Sequence, residues 1–194
     1  MEAHQFANEM LNKARFEDLI ANENWEELSG DIKRIYSKVN LLASFEMIKL
    51  SDAFKQPQAQ KPLCLSFYNL IHGTDSVSKR IDKAQFAFAP YEMDKWPIIT
   101  YPLFIIFPEK FMFVKPTVTK EAAENRRFDI KYDSKVNSET YKQIMIFSQD
   151  LFDLLSSDPR VELHPVDMID VQGFMWCTFA GGWTDKDFKL AKKK

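Results

Sequence analysis

Residues 96 to 116, WPIITYPLFIIFPEKFMFVKP, form an apolar and aromatic block in which Glu109, Lys110 and Lys115 are the only charges. Such a block has to lie in the interior of any fold the chain adopts, because apolar surface left in water costs about 25 cal/mol per Å². Its composition predicts strands. IITYPLFIIF and KFMFV are rich in β-branched and aromatic residues and are separated by Pro108 and Glu109, which suits two core strands joined in a tight β-hairpin. Pro102 has no N–H for a ladder, so the first strand is expected at a sheet edge or bulged.

The block divides the chain. Before it, residues 2 to 89 show helical spacing. Phe6, Met10, Lys13 and Glu17 mark successive turns of one helix; Asn24 caps a second through Trp25, Leu28, Ile32, Ile35 and Val39; Asn40 caps a third through Phe45, Ile48 and Ala53. QPQAQKP, residues 56 to 62, reads as a loop, with Pro62 starting a fourth helix that stops at Gly73, and Asp75 or Ser76 opens a fifth. After the block, Thr117 or Thr119 caps a short helix, FDIKY reads as a third strand, and Asn137 with Ser138 begins a long helix ended by Pro159. PVDMIDVQGFMWCTF reads as a last helix with Val166, Ile169, Val171, Phe174 and Trp176 turned inward. The expected fold is therefore α+β and mainly helical within a single domain, 1–194. A bundle-like helical lobe at 2–89 meets a β-hairpin-containing lobe at 90–183 with two C-terminal helices, followed by a Lys-rich tail, 184–194.

Composition excludes several classes of function. With 26 basic and 28 acidic side chains, no whole-molecule field draws in a phosphate backbone or an anionic membrane. The apolar uncharged run from Trp96 to Pro108 is 13 residues, short of the roughly 20 that span a bilayer. The first residues show no basic stretch followed by an apolar one, so no secretory signal is expected. Cys64 and Cys177 sit in apolar surroundings without CxxC spacing and read as buried thiols in a reducing compartment, the cytoplasm. Five glycines, none in a phosphate-cradling pattern, argue against nucleotide-driven chemistry, and there is no GxSxG nucleophile motif.

Three groups of residues bear on chemistry. His164 is followed within two turns by Asp167 and Asp170, a set explained by a helix start at His164, with Asp167 adding favourable dipole charge and Asp170 facing solvent, and with a metal or acid/base role as the alternative. Asp129 and Lys131 in FDIKY would share one face of a strand, the acid and lysine pair that Mg²⁺-dependent nucleases use with an upstream carboxylate, for which Asp94 is the nearest candidate. A surface ion pair is the plainer explanation of that pair. Lys110, Lys115, Lys120, Arg126, Arg127, Lys131, Lys135 and Lys142 lie among interleaved acids, a solvated mixed face in which Arg126 and Arg127 are the best candidates for binding.

KFMFVKPTVTKEAAE, FDIKYDSKVNSETY and PVDMIDVQGFMW together resemble an uncharacterised bacterial protein family, over residues 97–178 best, with NLLASFEMIKLSDAF a looser match. The resemblance implies a bacterial, cytoplasmic protein built as one unit and brings no catalytic residues. The function expected is that of a non-enzymatic interaction or accessory protein with a protein partner and no cofactor. Nucleic acid is unsupported by the net charge, and no membrane contact is expected. The alternative is a nuclease or phosphodiesterase using Mg²⁺, Asp94, Asp129 and Lys131.

Overall fold

The protein begins with two short helices where the spacing predicts one. Helix α1 (Ala3–Leu11) and α2 (Lys13–Ala21) are parted by Asn12, whose backbone is extended and whose Oδ1 accepts the Arg15 N–H at 2.9 Å. A side-chain cap in mid-pattern starts a new helix, because it satisfies a donor that continuation of the old one would have used. The computed structural model describes residues 3–39, 41–160, 162 and 164–179. Asn40 and the 184–194 tail, to which the sequence assigns a cap and a Lys-rich end, lie outside the described residues.

Asn24 and Ser76 cap as expected: their side-chain oxygens accept N–H groups at the starts of α3 (Trp25–Ser37) and α6 (Val77–Phe88). Helix α4 (Ser44–Phe54) starts instead at Ala43, whose N–H donates to Glu46 Oε2 at 2.7 Å. Helix α5 (Pro57–His72) takes in the stretch expected as a loop. Pro57 stands in its first turn, where a missing N–H costs nothing, and Gly73 ends it. A 3₁₀ turn, Ala89–Tyr91, leads into the apolar block.

The block is a helix. No strand occurs among the described residues, so the molecule is all-α there, and the α+β class, the β-hairpin lobe and the third strand at FDIKY are all corrected. Helix α7 (Trp96–Ile106) has all eleven of its residues buried. Residues 107 to 115 then run without regular structure into α8 (Pro116–Asn125), which has no side-chain cap, and Thr119 lies buried inside it rather than at its start. Helix α9 (Ser138–Ser157) follows with the expected Asn137 cap, and α10 (Met168–Thr178) closes the described chain.

Helix α7 contacts α1, α5, α6 and α10, and its surroundings repair its backbone. Pro102 cannot donate to the carbonyl of Ile98, four residues earlier. Tyr36 of α3 donates its hydroxyl to that carbonyl at 2.5 Å. Tyr101 returns the contact by donating to Ile35 O at 3.0 Å, with the two tyrosine rings 5.1 Å apart. Thr100 donates to Trp96 O at 2.7 Å and accepts the Val114 N–H at 3.0 Å, which ties the irregular segment back onto the helix. The Trp96 ring N–H reaches Asp133 O at 2.8 Å. Near the C-terminal end, where carbonyls lack intrahelical partners, Ile105 O accepts from His4 Nδ1 at 2.8 Å.

Among the described residues one charged side chain, that of Asp31, is fully buried. Asp31 of α3 is 0% exposed and takes two bonds from Arg15 of α2 on Oδ2, at 2.6 and 2.9 Å, and one from Arg34 on Oδ1 at 3.1 Å. The cluster locks α2 to α3, and its carboxylate in turn holds the Arg15 pKa above its usual value, together with Glu27.

The Tyr36 bond to Ile98 O exists because of Pro102, so the two residues should be thermodynamically coupled. Tyr36→Phe is expected to cost about 1–3 kcal/mol, since it leaves a buried carbonyl unpaired. In a Pro102→Ala background, where residue 102 regains its N–H, the same change should cost measurably less. A double-mutant cycle by chemical denaturation tests this, and strict additivity would show that Pro102 and Tyr36 are independent.

Candidate functional site

The residues singled out for phosphodiester chemistry are each engaged elsewhere. Asp94 lies beside Lys95 at 3.1 Å and Gln85 at 3.5 Å. Asp129 Oδ1 accepts the backbone N–H of Lys131 at 2.8 Å, closing a turn in which Lys131 has φ 47°, and Lys131 Nζ pairs with Glu139 at 3.1 Å. FDIKY is therefore an irregular segment that buries Ile130 and leaves Asp129 and Lys131 exposed, and its acid and lysine do not share a strand face. Among the described residues no group of three or more His, Cys, Asp and Glu side chains is placed to hold a metal ion.

His164, Asp167 and Asp170 act on backbone. Asp167 caps α10, with Oδ1 accepting the Ile169 N–H at 2.8 Å, and Asp170 Oδ2 accepts the Val166 N–H at 2.8 Å. His164 Nδ1 lies 3.1 Å from Leu155 O. Arg127, exposed at φ 54°, follows the end of α8. Arg126 approaches Asp150 at 3.8 Å and lines a shallow hollow of about 360 Å³ with Phe147, Leu151, Leu154 and Phe174.

Helix α10 is apolar on nearly every side, and the sequence places its inner face a step out of phase. The buried residues are Met168, Val171, Gln172 and Met175, at the i, i+3, i+4, i+7 spacing of one stripe. Val166, expected inside, is 83% exposed, and Ile169, Phe174 and Trp176 are partly exposed. The stripe was countable from Met168, but it requires a glutamine to face inward.

That glutamine marks a cavity. Between α1, α7 and α10 lies a space of about 620 Å³ walled by Val39, Leu41, Phe104, Ile105, Ile169 and Trp176, with His4, Gln172, Gly173 and Cys177 also on its lining. Gln172 is 5% exposed, and both Oε1 and Nε2 lack a hydrogen-bond partner within the protein. An orphaned buried amide costs about 1–3 kcal/mol, so such groups are rare and call for an explanation. Among the described residues the lining carries no Asp, Glu, Lys or Arg. Its volume and apolar walls with few polar groups fall within the usual range of small-molecule pockets.

A smaller hollow of about 260 Å³ holds His72, Arg80, Lys110 and Phe111. Arg80 serves the fold there, donating from Nη1 to Leu70 O and Ile71 O at the end of α5, while burial pushes its pKa down. His72 Nε2 lies 2.8 Å from Leu11 O, so the ring N–H donates to that carbonyl and joins α5 to α1. The other reactive side chain of the interior, Cys64, has its thiol pushed up to about 12 by burial, which makes it inert at neutral pH.

No family model matches the chain, and neither curated proteins nor solved structures include a similar one. The molecule is thus defined by its own geometry: its described residues are all-α and form, at the junction of the first, seventh and tenth helices, a cavity whose described lining carries no charged side chain. Among the described residues no helix is long and apolar enough to cross a membrane.

The His72 environment has a pH consequence. Burial holds its pKa below the ordinary value of 6.5, with Lys13 and Arg80 adding to the shift and Leu11 O and Glu17 opposing it. The folded state therefore favours the neutral ring, and the unfolded chain takes up a proton first as pH falls. Stability is fully present above the unfolded value and declines below it, down through the folded value. Denaturation curves at about pH 7.5 and about pH 5.5 should show the wild type losing stability and His72→Gln losing less. Equal losses would mean that His72 does not carry the effect.

Proposed function

We propose that this is a non-enzymatic binding protein of the cytoplasm, whose site is the cavity between α1, α7 and α10. The observation that carries the proposal is the Gln172 amide, buried in an apolar wall with neither polar atom paired. Core positions of this kind are ordinarily apolar or satisfied, and a group left unpaired at a functional cavity is most simply understood as awaiting a ligand. Binding rather than chemistry is favoured by the wall itself. Its titratable groups are His4, already committed to Ile105 O, and Cys177, so no acid, base and nucleophile converge there.

A protein partner is the second reading, supported by a different surface. Phe174 and Leu154, each more than a third exposed, flank the hollow beside Arg126, and an apolar patch next to a cation suits a partner's apolar side chain and carboxylate. Phe174 does not line the larger cavity, so Phe174→Ser distinguishes the two: it would weaken a protein partner and leave small-ligand binding unchanged.

Gly173 gives direct access to the test. It lines the cavity, and a Cβ built there meets nothing within 4 Å. Gly173→Ala should raise stability by up to about 1 kcal/mol through helix propensity and leave the cavity open. Gly173→Phe should block it. Titration with the neutral dye Nile red, read by its blue-shifted emission, is expected to saturate with wild type and Gly173→Ala and to weaken at least about tenfold with Gly173→Phe. Absence of binding, or binding indifferent to Gly173→Phe, would rule this cavity out as the site.

A further inference from the structure

We infer that the cavity selects an uncharged ligand that carries a hydrogen-bond donor and acceptor side by side on one edge, as in a lactam or a primary carboxamide, on an otherwise apolar body. The inference rests on the cavity being a binding site and adds what it binds.

The Gln172 carboxamide carries Oε1 as acceptor and the Nε2 N–H groups as donors, adjacent and coplanar; both are unpartnered and closed off from solvent, so a ligand in the cavity pairs with them by a turn of the side chain toward it. A ligand with only an acceptor would satisfy Nε2 and leave Oε1 orphaned; one with only a donor would do the reverse. A group presenting both in the opposite order satisfies the two together, in a paired geometry that also fixes orientation. Lactams, primary amides and undissociated carboxylic acids have such an edge.

The walls decide between neutral and ionised partners. Among the described residues the lining contains no lysine or arginine. A carboxylate brought into it would lose its hydration with no cation to replace it, which is the costly case for buried charge. His4 is already engaged, since its Nδ1, 2.8 Å from the Ile105 carbonyl, must carry the proton for that bond, and Asn8 Nδ2 lies 3.3 Å from its Nε2. The polar pair presented to a ligand is therefore that of Gln172. Around it Phe104, Ile105, Ile169 and Trp176 offer broad apolar and aromatic walls, which suit a flat ring system better than a flexible polar chain.

An isosteric series isolates the inference. Carbostyril is a benzo-fused lactam with the full edge, N-methylcarbostyril keeps only the acceptor, naphthalene has neither, and naphthoate is the ionised comparison. Binding to the full-length protein would be measured by calorimetry or by displacement of Nile red. Carbostyril is expected to bind at least about tenfold more tightly than naphthalene and than N-methylcarbostyril, with naphthoate weakest. Gln172→Leu should bring carbostyril and naphthalene to equal affinity while still binding naphthalene, and should unfold at a higher temperature than wild type, because the orphaned amide is gone. Gln172→Met provides the same comparison if the leucine does not fold. Without any variant, the Gln172 side-chain amide resonances should shift with carbostyril and stay in place with naphthalene.

Naphthalene binding with no preference for carbostyril, tighter binding of naphthoate, or a preference that survives in Gln172→Leu would each overturn this inference and leave the cavity as an unselective binding site. Failure of every probe, Nile red included, would overturn the site as well.

Discussion

The structure depends on satisfying the backbone of a helix that is buried along its whole length. With every side chain of α7 buried, any carbonyl its own turns leave unpaired has to find a partner in a neighbouring element. Pro102 creates such a gap at Ile98, and the helix end leaves another at Ile105; Tyr36 from α3 fills the first and His4 from α1 the second. These bonds fix which helices surround α7 and in what register. Dispersion and apolar burial hold the core together, but they are non-directional, and polar groups with a single available acceptor supply the direction.

The same helix shows where the sequence is hard to read. Periodicity reports a boundary between core and water, and α7 has none: its residues are buried all the way round, so neither the strand nor the helix period shows. With period absent, β-branched and aromatic composition and two prolines all argue for strands. Pro97 is harmless in the first helical turn, and Pro102 is tolerated because Tyr36, 62 residues before Ile98 in the chain, stands in for the lost N–H. Caps were more legible. Asn24, Ser76 and Asn137 act through short side chains on nearby N–H groups, so the information is local. Asn12 was missed because an apolar pattern runs through it.

The candidate site was legible only in part. A helix start at this end follows from the polar residues before an apolar run, although the cap falls on Asp167 rather than at His164, and the ion pairing of Lys131 follows from its neighbourhood of charges. The cavity was not foreseeable, since its walls come from α1, α7, α10 and the segment at Val39 and Leu41, which meet only in three dimensions. Gln172 was hidden for another reason. In a helix with apolar residues on most sides, a single glutamine is naturally assigned to the solvent face, and here it turns inward while Val166 and Trp176 turn out. The departure from local expectation falls on the wall of the cavity, which is where functional positions tend to break the rules of folding.

Helix α10 supplies the last wall of that cavity, and it is joined to the rest by apolar contact and by the bond from the Met168 N–H to Pro108 O at 3.0 Å. The walls from α1 and α7 leave the ribosome long before it. Through that interval the apolar lining at Phe104 and Ile105 has no cover from α10, and the cavity comes into being only when Met168–Thr178 has been made and docks. Completion of the cavity is thus a late step of biosynthesis, set by the arrival of α10 rather than by the helices made first.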